Sequence, residues 1–109
     1  MVHRLHEEPL VERIWLRHEG HIQRAVEQLW RSLKPSAVIH CAALSRTKDC
    51  ERDPQQARRI NVEATEYLAD CSKEIPFVFL SSGEVFDGQV GWYRETDHAI
   101  PINVYGQTK

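Results

Sequence analysis

Glycine is scarce in this chain and is badly placed for one common task. The five glycines of the 109 residues are Gly20, Gly83, Gly88, Gly91 and Gly106. They cannot be arranged as G-x-G-x-x-G or G-x-x-G-x-x-G, the turns that bring backbone N–H groups and a helix N-terminus against a phosphate. Cysteine is also sparse. Cys41, Cys50 and Cys71 are odd in number and irregular in spacing, which argues against a disulfide framework and for free thiols in a reducing compartment. No apolar run approaches the length needed to cross a bilayer. Residues 1–9 carry Arg4, Glu7 and Glu8 and two histidines where a signal peptide would be apolar, so secretion is not expected. The formal net charge of −2 leaves no basic footprint for nucleic acid and no polybasic patch for a membrane. The six histidines show no metal-ligand spacing with the cysteines. Asp49, Glu51 and Asp53 lack the glycine and bidentate glutamate of a calcium loop. The expectation is a soluble cytoplasmic chain without nucleic-acid or membrane partners.

What is present is a hydrophobic content of 41%, enough for a core, in alternating patterns. Glu12 to Leu16 could form a short strand, and Gly20 breaks the chain. Ile22, Ala25, Val26, Leu29 and Leu33 recur at steps of three and four, one face of a helix. Lys34-Pro35 ends it. The apolar run within Ser36 to His40 reads as a strand buried on both faces, as in a parallel sheet. Leu44 to Arg52 is polar and loop-like. Asp53-Pro54 supplies an N-cap acceptor and a proline at the first helical position. Ala57, Ile60, Ala64, Leu68 and Cys71 then mark a helix to about Lys73. Phe77 to Leu80 is a second buried strand. Gly83, Asp87-Gly88 and Gly91 form a long loop, with Trp92 and Tyr93 as loop anchors or part of a substrate lid. Pro101 precedes a last helix beginning near Asn103. Helices alternating with apolar strands predict an α/β parallel sheet covered by helices. Chemistry in such sheets sits at the carboxyl ends of the strands. That puts His40-Cys41-Ala42-Ala43 beside Ser81-Ser82-Gly83.

The sharpest constellation is Tyr105-Gly106-Gln107-Thr108-Lys109. Residues four apart on a helix share a face, so phenol and ammonium can point into one cleft. A nearby ammonium favours the phenolate, and a phenol so tuned can donate a proton to a carbonyl and recover it. The pattern also arises by chance, so its context matters. Ser81-Ser82 follows a predicted strand, and a hydroxyl there either holds a carbonyl or satisfies strand-end backbone groups. Ala42-Ala43 either admits a flat ligand or packs helix on sheet. Asn61, a poor helix former, either faces solvent or bonds the backbone and holds a water beside the site. His40 and Cys41, adjacent on a strand, point to opposite faces and do not form a thiol–base pair.

The ordered set VIHCAAL, RINVEATEYLA, FVFLSSGEVFDG, YRETD and PINVYGQTK resembles the extended short-chain dehydrogenase/reductase superfamily. It is most similar to the dTDP-4-dehydrorhamnose reductase branch, over about Ile22 to Lys109. That resemblance implies a partial Rossmann-type, doubly wound fold with NADP or NAD as cofactor. It implies reduction of a keto group on a nucleotide-linked sugar. Tyr105 would be the proton donor, and Lys109 would tune it and bond the nicotinamide ribose. Ser82 would orient the carbonyl. Cys41, Ala42, Ala43 and Ser81 would line the cofactor, and Asn61 matches the family's helix asparagine. The glycine-rich turn is missing, and Trp15-Leu16-Arg17-His18 stands where the family tends to carry an acidic residue near the adenine. Residues 1–20 are therefore read as outside the fold, and 21–109 as a partial NAD(P)-binding domain that ends at its catalytic lysine, without a substrate-binding half. Such a fragment is expected to show little or no turnover alone. A homodimer or a partner enzyme is implied for a full-length relative. The branch also includes the regulatory beta subunit of methionine adenosyltransferase, so a non-catalytic binding protein of the same fold is the alternative, with an inactive truncated remnant as a third reading.

Overall fold

The computed structural model describes residues 22–109; the expected strand at Glu12 to Leu16 and the segment 1–20 lie outside the described residues. Helix α1, Ile22–Leu33, buries Ile22, Ala25 and Val26. It stops at Lys34, whose φ of 44° lies in the left-handed region. The expected strand is shorter than its apolar run: β1 is Val38–His40. Helix α2, Thr47–Arg52, occupies part of the stretch expected to be a loop. The correction has a tertiary cause. Cys50 is fully buried and its thiol donates to the Leu44 carbonyl at 3.2 Å, a contact that composition does not reveal.

Asp53 caps the next helix as its position before proline predicts. Its carboxylate accepts from Gln56 N at 2.9 Å. The helix runs as α3, Pro54–Arg58, then a π-helical segment, Arg59–Glu63, then α4, Ala64–Cys71. The widened π turn was not legible in the sequence. Strand β2 is Phe77–Phe79 and is followed by a 3-10 turn, Gly83–Val85, and by α5, Val104–Gln107.

The strands pair in parallel, Val38 with Phe77, Ile39 with Val78, and His40 with Phe79. Leu80 N donates to His40 O at 3.1 Å and carries the ladder one step further. Ile22, Val26, Ala64 and Leu68 form the core between α1 and α4, with Trp30, Tyr67, Cys71 and Phe77 packed around it. Burial of each large aliphatic there contributes about 1.5–3 kcal/mol. The strands are not buried on both faces. His40 is 4% exposed, whereas Ile39 is 70% and Val78 50% exposed. A strand's apolar content states that it can be covered; which face is covered depends on where the helices pack. Among the described residues no helix is long and apolar enough to cross a membrane.

Candidate active site at the carboxyl ends of the strands

The chain leaves β1 at Cys41, which is exposed, and passes half-buried Ala42 and Ala43. His40, the last residue of β1, is buried, whereas Cys41 is exposed. Leu44 is then seized by Asn61. The Asn61 carboxamide accepts from Leu44 N at 2.7 Å and donates to Leu44 O at 3.1 Å. It also donates to Thr108 Oγ1 at 2.8 Å. At 2% exposure Asn61 is a buried brace, which resolves the alternatives left open by its helical position. Its place in a π segment fits this use, because the wider turn is a recurrent feature of functional sites.

Ser82 follows β2 in extended conformation, and its Oγ accepts from Glu84 N at 3.2 Å. That bond uses a lone pair of the hydroxyl, not its proton. The turn it caps meets α5 closely. A Cβ on Gly106 would stand 2.1 Å from Glu84 O and 2.9 Å from Pro101 Cβ, so the absence of a side chain lets α5 reach the Ser82 turn.

Helix α5 spans four residues, far too few to hold its shape alone. Three side chains hold it. Asn103 caps it from within, accepting from Gly106 N at 2.7 Å. The Asn103 amide also donates to Glu84 Oε2 at 2.7 Å. Glu51, from α2, accepts from Val104 N at 2.8 Å. Asn103 was legible as a helix start; Glu51 and Glu84 were missed, since long-range caps leave no local signal.

Lys109 prolongs the turn, donating from its N to Gly106 O at 3.2 Å. Its ammonium lies over the Phe79 ring, 4.4 Å from the centroid, at the carboxyl end of β2. Burial lowers its pKa from the ordinary lysine value, partly opposed by nearby Cys41. His40, behind, has its pKa lowered by burial first and by the Lys109 charge second. His40 Nε2 is 2.9 Å from Thr65 Oγ1. The Thr65 hydroxyl spends its one proton on Asn61 O at 2.6 Å, so His40 Nε2 is the donor. No hydrogen bond among the described residues joins Ser82, Tyr105 and Lys109 to one another. The links between their segments are indirect: the Ser82 turn meets α5 at Gly106, and Thr108 Oγ1 donates to Tyr105 O at 2.9 Å. Ser81 is exposed and Tyr105 half-buried.

The loop between the 3-10 turn and α5 is anchored by Tyr93, not by Trp92. Tyr93 stacks on Phe86 with centroids 4.4 Å apart. Its hydroxyl donates to the Asp87 carboxylate and accepts from Val90 N at 3.2 Å. The Tyr93 bond, then that from Gln89 N, hold Asp87 below the usual carboxylate range. Trp92 is 98% exposed with φ of 61°, so it does not anchor the loop.

The family model described as RmlD substrate binding domain matches residues 15–109. Methionine adenosyltransferase 2 subunit beta of Xenopus laevis is 39% identical over 89 residues, covering 80% of this chain and 27% of that protein. The crystal structure of a hypothetical dTDP-4-dehydrorhamnose reductase from Sulfolobus tokodaii is similar with a TM-score of 0.75 at 31% identity, covering 80% of this chain and 33% of that one. The dTDP-4-dehydrorhamnose reductase from Bacillus anthracis str. Ames, in complex with NADP, also gives a TM-score of 0.75, at 29% identity, covering 84% of this chain and 34% of that one. The parallel β1–β2 pair with flanking helices is thus the partial Rossmann-type arrangement expected. This chain spans about a quarter of the length of the curated relatives it matches.

Proposed function

The chain belongs to the RmlD substrate binding domain family, and from that premise we propose that it carries the serine–tyrosine–lysine part of an NAD(P)H-dependent reductase acting on a keto group of a nucleotide-linked sugar. The observation that carries the reading is the Lys109 ammonium. It lies at the carboxyl end of the paired strands, four residues on from Tyr105 and just past α5, which packs against the Ser82 turn.

In this reading Tyr105 gives its phenolic proton to the carbonyl oxygen, and Lys109 bonds the nicotinamide ribose. The Ser82 hydroxyl, its oxygen already accepting from Glu84 N, points its proton to the same carbonyl. Asn61 ties the segment after β1 to the end of α5, through Leu44 and Thr108. The residues present fit the nicotinamide-ribose end of a dinucleotide. An ammonium, a phenol and a strand end of small residues, Ala42 and Ala43, offer polar groups to a ribose and room for a flat ring. Lys109, Tyr105, Ser81 and the Cys41–Ala43 backbone would hold it. When bound, the nicotinamide supplies the hydride. The NADP held by the Bacillus anthracis relative supports the cofactor class.

The test is an NMR titration of the chain with NADP and NAD, paired with an assay on dTDP-4-dehydrorhamnose. Either nucleotide should perturb the amides of Cys41 to Ala43 and Lys109, while the 109 residues alone turn over little or nothing. In a protein containing this chain that does turn over, Tyr105→Phe should lower kcat about 10²–10⁴-fold. Absence of any perturbation at Cys41 to Ala43 and Lys109 would sink the reading.

A second reading, a regulatory protein of the same fold, is supported by the 39% identity over 89 residues to the methionine adenosyltransferase subunit. Co-purification with a methionine adenosyltransferase at fixed stoichiometry, unchanged by Tyr105→Phe, would support it over the first.

A further inference from the structure

We propose that Phe79 and His40 form a two-ring platform that positions the Lys109 ammonium at the carboxyl end of the sheet, which makes both of them positioning residues. The inference rests on the reading of Lys109 as a working cation of the site.

Lysine carries its charge on a long flexible stem and does not choose one position unaided. Here it is held from beneath. Its Nζ lies 4.4 Å from the Phe79 ring centroid, where the negative face of the ring attracts a cation. Phe79 is backed by its register partner in the parallel pair, His40. The two rings lie 5.8 Å apart, tilted by 32°. His40 cannot slide, because its Nε2–H donates to Thr65 Oγ1 and Thr65 donates to Asn61 O. Asn61 in turn bonds Thr108 Oγ1, next to Lys109 in the chain. The contacts therefore close a circuit from the lysine's side chain through two strands and a helix back to its own backbone. A neutral His40 is required by this arrangement. A protonated imidazole next to the ring would repel the ammonium over it, and burial disfavours that charge.

The test reads the position of Lys109 directly. Protons held over an aromatic face are shielded. In the unaltered chain the Lys109 ε-CH₂ resonances should lie upfield of those of exposed Lys48 and Lys73. Phe79→Leu should return them to the exposed-lysine position. His40→Asn, which removes the neighbouring ring and its bond to Thr65, should remove most of the offset. So should Thr65→Val, which keeps the rings and removes both hydroxyl links of the circuit, the acceptor for His40 and the donor to Asn61 O. Methyl resonances of Ile22, Val26 and Leu68 report whether the core persists, and Thr65→Val decides the matter where His40→Asn does not fold. An offset absent from the unaltered chain, or undiminished in Thr65→Val with an intact core, overturns the proposal. NADP is added as a separate arm. An intact platform with no response to NADP counts against the reductase reading, whereas a response without the platform counts against this inference alone.

Discussion

Asn61 and Leu44 exchange two hydrogen bonds across 17 residues of chain, Leu44 N to Oδ1 at 2.7 Å and Nδ2 to Leu44 O at 3.1 Å. One buried carboxamide thus replaces a strand neighbour for a residue just past the end of β1. Because the same Nδ2 reaches Thr108, the segment after β1 and the end of α5 are fixed to one another through a single side chain.

Asn61→Ala should therefore destabilise the chain by about 1–3 kcal/mol, the cost of leaving partly buried polar groups unpaired. Asn61→Asp should not rescue it: the carboxylate still accepts from Leu44 N but sets an oxygen against Leu44 O. Urea unfolding followed by circular dichroism measures both. Variants as stable as the unaltered chain would contradict the brace.

Gly106→Ala should cost about 1–3 kcal/mol through overpacking. The new Cβ would stand 2.1 Å from Glu84 O, and backbone cannot yield as a side-chain tip does. The change should appear first in the amides of Ser82 to Val85 and α5, leaving α1 and α4 undisturbed. A neutral effect on the thermal midpoint would show that the two elements are not in contact.

Stability should fall on acidification through His40. Burial, then the Lys109 charge, hold its pKa below the ordinary 6.5. As pH falls below that value the unfolded chain takes up a proton that the folded chain refuses. The contribution is complete above the unfolded pKa and is lost as pH falls toward the folded one. One proton limits the slope to about 1.4 kcal/mol per pH unit. Unfolding free energies measured from pH 7.5 downward should be steeper for the unaltered chain than for His40→Asn, and equal slopes would refute the buried neutral ring.

The thiols should react in order of access. Cys41 is exposed, Cys71 intermediate and Cys50 buried. Burial, then Asp49 and Glu51, push the Cys50 thiol up. Burial, then Glu27 and Asp70, do the same at Cys71. Timed alkylation under native conditions, read by mass spectrometry, should modify Cys41 first and Cys50 only on unfolding. Early modification of Cys50 would contradict its burial under Leu44.

Much of this was legible in the residues themselves. Of the stripe Ile22, Ala25, Val26, Leu29 and Leu33 the first three are buried while Leu33, at the helix end, is 60% exposed, and of Ala57, Ile60, Ala64, Leu68 and Cys71 the first four are buried, because helical period and burial are one constraint where a partner helix covers the face. Asp53 before Pro54 and Asn103 before α5 announced their caps, since a cap needs an acceptor within three residues. Helix α2 was read as a loop because its stability comes from Cys50 beneath Leu44 and not from its own polar sequence. The exposed Ile39 and Val78 looked buried because an apolar residue does not name its neighbour.

By itself the sequence determined the alternation of helices and short strands, the parallel pairing this requires, and the spacing that puts Tyr105 and Lys109 one turn apart, all consequences of local period and capping. Tertiary structure decided the rest: that Asn61 is a brace, that Glu51 and Glu84 hold a helix too short to hold itself, and that Lys109 rests over Phe79. Each of these joins residues far apart in the chain, and such contacts exist only once the fold has brought their partners within hydrogen-bonding or ring-stacking distance.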